Sequence, residues 1–339
     1  MIASTEKLFF IVGNSRSGTT MMLRILDNHP QIFGLNELHF FEQLWSTADK
    51  EKIISKSDAQ DLAARLLYIQ RKGYMGFSDT TTFATEANTL VEEMNNNQMT
   101  GQAVYAYFMT RETSLQNKIY AVEKTPQNVF YIKEILELFP NARIINMVRD
   151  PRGIMLSQKR KWMRRKMGAT FITKKEVIRL RINYHPITLS RLWNSSIIAA
   201  NKFDTEPRVK TILFEDMLDK PTETAQAICQ HFEIDFFAEM LEIPQASSSN
   251  EPDSTEKGIN KKRAGNWKSG GLSDAELFFC QKISGDLMTQ IGYPLNELKP
   301  NPFSVIAYII AFPFKLGLAL LVNLNRMKSI VETIKRRLN

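Results

Sequence analysis

Apolar residues in this chain come in short unbroken runs, each followed by a stretch in which they recur every three or four positions. The runs are Leu8–Val12, Ile119–Val122, Arg143–Val148 and Val209–Phe214, and the periodic stretches after them are Thr19–Asp27, Val129–Phe139, Arg152–Met167 and Thr222–Phe232. A short continuous apolar run reads as a strand buried on both faces. Strands alternating with amphipathic helices build a parallel sheet through right-handed crossovers. The expected class is therefore α/β, a parallel sheet flanked by helices. Between the first two strands, residues 41–117 carry no strand signal. Asp58–Gln70 and Phe83–Asn95 have helical spacing, so a helical insert over the sheet edge is expected there. A second helix-rich stretch covers Lys174–Lys202. Residues 246–272, rich in Ser, Asn, Lys and Gly, read as a mobile loop before a last helix over Ser273–Ile291.

The end of the chain departs from this pattern. Phe303 to Leu324 is apolar except for Lys315, with Pro313 in its middle. As one straight helix it would rise about 33 Å, close to the hydrocarbon core of a bilayer at about 30 Å. The segment after it, NRMKSIVETIKRRLN, is basic and amphipathic and suits the cytoplasmic side of a membrane. Lys315 in mid-span argues instead for two short helices broken at Pro313 and buried in the body. The expected organisation is a domain over 1–298 and a tail over 299–339. The tail reads as a membrane anchor, spanning or in-plane, and not as a catalytic element. At the other end Leu8–Val12 is too short for the core of a secretory signal, so the expected location is the cytoplasm, with the tail as the attachment to the membrane.

Composition narrows the class further. With 339 residues, 43% hydrophobic and 24% charged, the chain is an ordinary globular mixture, which excludes fibrous and wholly disordered readings. Two cysteines, Cys229 and Cys280, cannot staple a fold of this length and suit a reducing compartment. The four histidines lie far apart, so no metal site is expected. The net charge of +8 sits in two blocks, six basic residues within 159–166 and the basic end of the tail, on a nearly neutral body. Apart from Trp162 these blocks lack interleaved aromatics, and nucleic acid is not an expected partner. The block at 159–166 reads equally well as a solvated face or as a patch for an anionic membrane or acidic substrate. Lys161 within it is one turn past Ser157.

The chemistry starts in FFIVGNSRSGTTMMLRILDNHP. A buried strand ends at Gly13, a loop holds Arg16 and Gly18, and a helix opens at Thr19. Such a loop turns successive backbone N–H groups and a helix N-terminus toward an anion. The spacing of Gly13 and Gly18 is that of a nucleoside-triphosphate loop, giving a P-loop NTPase-like fold, but Thr19 stands where that motif needs lysine. No acidic residue is plainly placed for Mg²⁺, although Glu123 and Asp150 follow strands. Downstream, INMVRDPRGIMLSQ puts Arg149 at the end of a strand and Ser157 eight residues later on a helix. Strand-end residues reach the edge of a parallel sheet where ligands bind, and an arginine there can grip two phosphate oxygens at once.

These stretches resemble the sulfotransferase superfamily, and SRSGTT followed by a helix ending in DNHP is similar to tyrosylprotein sulfotransferases and related bacterial enzymes. The resemblance covers about residues 8–40, 119–165 and 209–290 and implies transfer of a sulfuryl group from 3′-phosphoadenosine 5′-phosphosulfate to an acceptor hydroxyl, with no metal required. It implies that Arg16 and the amides of Ser17, Gly18, Thr19 and Thr20 clasp the 5′-phosphosulfate, and that Arg149 and Ser157 hold the 3′-phosphate. Lys262 and Arg263, in NKKRAGNWKSGG, are candidates for closing over that phosphate. Glu37, in GLNELHF, matches the family's catalytic glutamate, a base for the acceptor hydroxyl. Lys124, in AVEKTPQN, matches its catalytic lysine, which would neutralise charge on the departing phosphate. Phe214 stands where the tyrosylprotein enzymes have a tyrosine near the nucleotide. The alternatives are a P-loop nucleotide kinase and a non-catalytic, membrane-associated nucleotide-binding protein. The acceptor is not identified by these residues; the apolar tail points to a lipid or other amphiphilic alcohol.

Overall fold

The computed structural model describes residues 7–73, 80–94, 99–166, 172–244 and 256–338. Its centre is β1 (Leu8–Gly13), all six residues of which are buried. Alternate side chains of a strand point to opposite faces, and here each face has its own core. Leu8, Phe10 and Val12 join one apolar cluster, while Phe9 and Ile11 join another. Each such side chain contributes about 1.5–3 kcal/mol on burial. α1 (Thr19–Asp27) follows, then β2 (Ile32–Leu35), which the apolar pattern did not reveal. Its four residues include Gly34, whose N–H donates to Asp27 Oδ1 at 2.6 Å.

The expected helical insert contains α2 (Lys56–Lys72), α3 (Ala84–Glu93) and α4 (Gly101–Leu115). Ser55 and Thr100 cap the first and last of these through side-chain oxygens that accept from Asp58 N and Ala103 N. Their apolar residues join the cluster on the Phe10 face. After the insert come β3 (Tyr120–Lys124), α5 (Ile132–Leu138), β4 (Arg143–Val148) and α6 (Pro151–Arg160). The helix expected to reach Met167 leaves the α conformation after Arg160, and a 3₁₀ turn takes over at Lys161–Arg165. Next are α7 (Lys174–Ile182), α8 (Pro186–Asn201), β5 (Val209–Leu213), α9 (Phe214–Asp219) and α10 (Pro221–Phe232). Phe214, expected to end the last strand, opens α9 instead.

All five strands are parallel, in the order β2-β3-β1-β4-β5. The chain reverses direction across the sheet at β1, between β3 and β4. Ligands of open α/β sheets bind at the carboxyl edge of such a switch point, and the Gly13–Thr19 loop leaves the sheet there. Part of the expected loop, residues 246–255, lies outside the described residues. α11 (Asp274–Ile291) begins with a capping box between Ser273 and Glu276. Cys229 and Cys280 are buried and free.

The tail forms α12 (Pro302–Leu321), one continuous helix through Pro313, and α13 (Ile330–Leu338). It is not buried as two core helices. Among the described residues α12 is the one helix long and apolar enough to cross a membrane, and none of it is buried. α13 folds back onto the body. Arg336 pairs with Glu134 and donates to the Phe130 carbonyl at 2.6 Å, and Arg337 donates to Glu42 Oε1 at 2.6 Å.

Candidate active site

A cavity of about 670 Å³ opens at the carboxyl edge of the sheet. Its floor is the loop between β1 and α1. Gly18, with φ 93°, occupies the left-handed region that favours glycine, and a Cβ there would lie 2.3 Å from the Phe214 ring. Phe214 thus takes up packing against the loop, and its ring also carries the Arg149 guanidinium at 4.2 Å. Arg16 has φ 78°. That conformation aims its side chain across the cavity floor, where Nε donates to Ser157 Oγ at 2.8 Å. Arg149 donates to the Arg16 carbonyl at 3.2 Å and to the Arg263 carbonyl at 3.4 Å. The loop, the end of β4, the second turn of α6 and the late basic loop therefore converge there. Burial lowers the Arg149 pKa from its ordinary value, leaving the guanidinium charged.

Among the residues assigned from sequence, Arg16, Gly18, Thr19, Thr20, Glu37, Arg149, Ser157 and Arg263 line this cavity. Ser17 lies beneath the loop, fully buried, with an Oγ that has no hydrogen-bond partner among the described residues. The side chain of Lys262 lies outside the described residues. Lys161 lines the cavity, and burial, reinforced by the Arg16 charge, pushes its pKa down to about 8. Asp150 is tied instead to Arg152 and to Trp267 Nε1, at 2.8 and 3.1 Å, so it serves the scaffold.

Glu37 and Lys124 are 87 residues apart in sequence and directly ion-paired. The strand missed in the sequence is what brings them together. β2 pairs with β3 in parallel register, Leu35 opposite Glu123, so the two strands end side by side. The residues flanking Lys124 then fix those flanking Glu37. Glu123 Oε1 accepts from Leu38 N at 3.1 Å, and Thr125 Oγ1 accepts from His39 N at 3.3 Å. Glu123 is fully buried, also accepts from Asn128 Nδ2 at 2.9 Å, and is pushed up to about 7 by its burial. Lys124 Nζ also reaches Thr20 Oγ1 at 3.4 Å, at the mouth of the phosphate loop. Burial alone would raise the Glu37 pKa; Lys124 and His39 outweigh it and hold the carboxyl well below the usual range. His39, whose Nε2 lies 3.4 Å from Glu37 Oε2, was not singled out from sequence. Its position two residues after the glutamate was the available signal.

The far end of the cavity is built from α7, α8 and the tail. Phe312, Leu316, Ala319 and Leu320 of α12 and Thr333, Ile334 and Arg337 of α13 line it. Nothing in the local sequence of the tail marked it for this position.

Comparison with known proteins agrees with this architecture. The model of the Sulfotransferase family matches residues 9–239. The omega-hydroxy-beta-dihydromenaquinone-9 sulfotransferases Stf3 of Mycobacterium bovis and Mycobacterium tuberculosis are each 28% identical over 161 residues, which is 42% of this chain and 42% of theirs. The matched region spans about two fifths of the length of these curated relatives. Among solved structures, the sulfotransferase domain from the curacin biosynthetic pathway shares the fold, with a TM-score of 0.52 and 20% identity, covering 86% of this chain and all of that one. The family match runs from the second residue of β1 past the end of α10 and so takes in every strand of the sheet and both helices that face the cavity floor: the chain belongs to the sulfotransferase family.

Proposed function

We propose that the protein transfers a sulfuryl group from 3′-phosphoadenosine 5′-phosphosulfate to the hydroxyl of a lipid or other amphiphilic alcohol. The observation that carries this reading is the convergence on the cavity floor of Arg16, Arg149, Ser157 and Lys161 within reach of the Glu37–Lys124 pair. The donor set fits a doubly phosphorylated nucleotide. At the sheet end, Arg16, Arg149, Lys161 and Arg263 line the cavity against the one carboxylate Glu37 among the described residues there, an imbalance that calls for an anionic ligand. The nucleotide supplies an activated sulfuryl group on a phosphate leaving group. Arg16 and the first turn of α1 hold its 5′ end, and Arg149, Ser157 and Lys161 hold its 3′-phosphate; Lys262 and Arg263 are assigned to the same phosphate.

Glu37 accepts the acceptor's hydroxyl proton as the new S–O bond forms and the bond from sulfur to the bridging phosphate oxygen breaks. Lys124 stabilises the charge left on that oxygen. The ion pair between them holds Glu37 ionised, ready to take a proton, and its lowered pKa makes it a weak base until Lys124 turns toward the phosphate. The residues Glu123 and Thr125 keep both partners in register. A lipid acceptor is supported by the apolar wall that Phe312, Leu316, Ala319 and Leu320 give the far end of the cavity and by the likeness to sulfotransferases named for a menaquinone-derived alcohol.

Calorimetric binding tests the reading. Adenosine 3′,5′-bisphosphate is expected to bind more tightly than 5′-AMP or Mg·ATP, and Arg149→Ala to weaken it about 100-fold, the loss of charge-assisted hydrogen bonds of about 1.5–3 kcal/mol. Preference for Mg·ATP would replace this reading with a kinase, and binding of none of the three would leave a non-catalytic protein.

A further inference from the structure

The outer face of α12 gathers many of the exposed large apolar side chains among the described residues. Phe303, Ile306, Ile309, Ile310, Phe314 and Leu321 are each more than half exposed. Soluble monomers rarely leave so continuous a patch uncovered. By length alone the helix suits a bilayer-spanning role, but its contacts argue otherwise. The carbonyl of Tyr308 lies 3.2 Å from His185 Nε2, Lys315 Nζ donates to the Arg181 carbonyl at 3.2 Å, and Asn323 Nδ2 donates to Asn183 Oδ1 at 2.8 Å. Arg191 lies over the Phe312 ring at 5.6 Å. Residues 308, 312 and 315 lie on one face of α12 and Asn323 continues it just past the helix end, so that face rests on α7 and the first half of α8. A spanning helix would have to leave every one of these polar partners.

Two further observations identify what covers the other face. First, basic groups gather beside the helix. Arg181, whose carbonyl receives Lys315, stacks its guanidinium on Trp162 at 3.8 Å, and Lys166 approaches the same ring at 5.4 Å. Of the block at 159–166, Trp162 and Lys166 are thereby placed beside the helix, while Lys161 lines the cavity and Lys159 pairs with Glu276. Second, the apolar surface continues into the active-site cavity. Leu316 and Leu320 line the cavity, while Phe314, Leu318 and Leu321 beside them are exposed. Where the cavity meets α13, Thr333 is 2% exposed and its Oγ1 has no hydrogen-bond partner among the described residues.

We infer that α12 lies in the plane of an anionic lipid surface, apolar face down and basic cluster against the headgroups, and that its inner face is the wall along which a lipid alcohol passes from the bilayer toward Glu37. Thr333 offers that acceptor a hydroxyl for a polar group on its chain or ring. This inference rests on the proposed function for the identity of the passenger, but the docking itself does not. It also makes the tail part of the acceptor site rather than a separate anchor.

Flotation of the purified full chain with preformed vesicles tests it. The chain is expected to float with vesicles of phosphatidylcholine and phosphatidylglycerol, more weakly with phosphatidylcholine alone, and to be stripped from both by alkaline carbonate, which releases an in-plane helix and not a spanning one. The double variant Ile310→Glu with Phe314→Glu lies on the exposed face, and is expected to weaken binding to the anionic vesicles about tenfold or more. Failure to float with anionic vesicles, flotation unchanged by the double variant, or resistance to carbonate would each overturn the inference. Binding of adenosine 3′,5′-bisphosphate to the same preparations reads the proposed function separately. If the nucleotide does not bind while flotation behaves as expected, the donor reading fails and the dock stands.

Discussion

The two ends of the cavity are built on different principles. At the sheet end the central groups are delivered by a strand terminus or the segment after it: Arg16 and Thr20 after β1, Glu37 after β2, Lys124 at the end of β3, Arg149 and Ser157 around β4 and α6. Parallel neighbours hold those termini about 5 Å apart, so residues far apart in sequence meet with little freedom. At the tail end the walls are helices laid against one another, and apolar side chains there mix with Thr333 and with arginines such as Arg337 and Arg326, held by Glu42 and Glu176. One end has the fixed geometry that the proposed displacement at sulfur would need. The other has an apolar wall from α12 that the proposed long acceptor could follow, and tolerates variety. Chemistry is expected to be intolerant of change at the first end and graded at the second.

The sharpest break of this contrast is Glu37→Gln. The amide keeps the shape and loses the base, so kcat is expected to fall about 10²–10⁴-fold with nucleotide affinity little changed. Turnover within a few-fold of the parent would remove Glu37 from its role. Lys161 gives a smaller and pH-dependent effect. Its pKa, lowered to about 8, means that the free protein loses this charge as pH rises through that value, while a bound phosphate favours the charged form. Affinity for adenosine 3′,5′-bisphosphate is therefore expected to be flat below about pH 8 and to fall by up to about tenfold per unit above it. Lys161→Arg should flatten that profile; a slope that persists in the variant assigns the titration to another group. At the tail end, Leu316→Ala with Leu320→Ala is expected to raise KM for a long-chain alcohol about tenfold, given about 0.8 kcal/mol per lost methylene contact, without changing kcat or nucleotide binding. A fall in kcat instead would mean that the tail shapes the reacting geometry, and the two ends would no longer be separable.

Much of the sheet end is legible before folding. The phosphate loop is a contiguous signal, since Gly13, Arg16 and Gly18 lie within six residues and the apolar run before them and the periodic helix after them are local. Arg149 and Ser157 are likewise eight residues apart on one strand–helix unit. β2 escaped because its four residues follow Pro30 and include Gly34, a composition that favours no strand by itself. It is a strand because β3 supplies its ladder, at an edge where short strands are the rule. His39 escaped for the same reason, and so did the partners of Glu123, which was noted only as following a strand; both are set by that pairing.

The sequence by itself determined most of the elements, the class of fold and the chemical character of the loop, because backbone propensity and side-chain period act between residues a few positions apart. What it left undetermined is proximity. The pairing of Glu37 with Lys124 across 87 residues, of Arg16 with Ser157 across 141, and of Arg337 with Glu42 across 295 depends on strand order and on which apolar faces close on which. Burial then set the charges: the same lysine chemistry is ion-paired at Lys124 and pushed toward neutrality at Lys161 because each sits among different neighbours. The tail is the clearest case. Its composition marked an apolar helix, and only packing against α7 and α8 decided that one face of it lines the cavity.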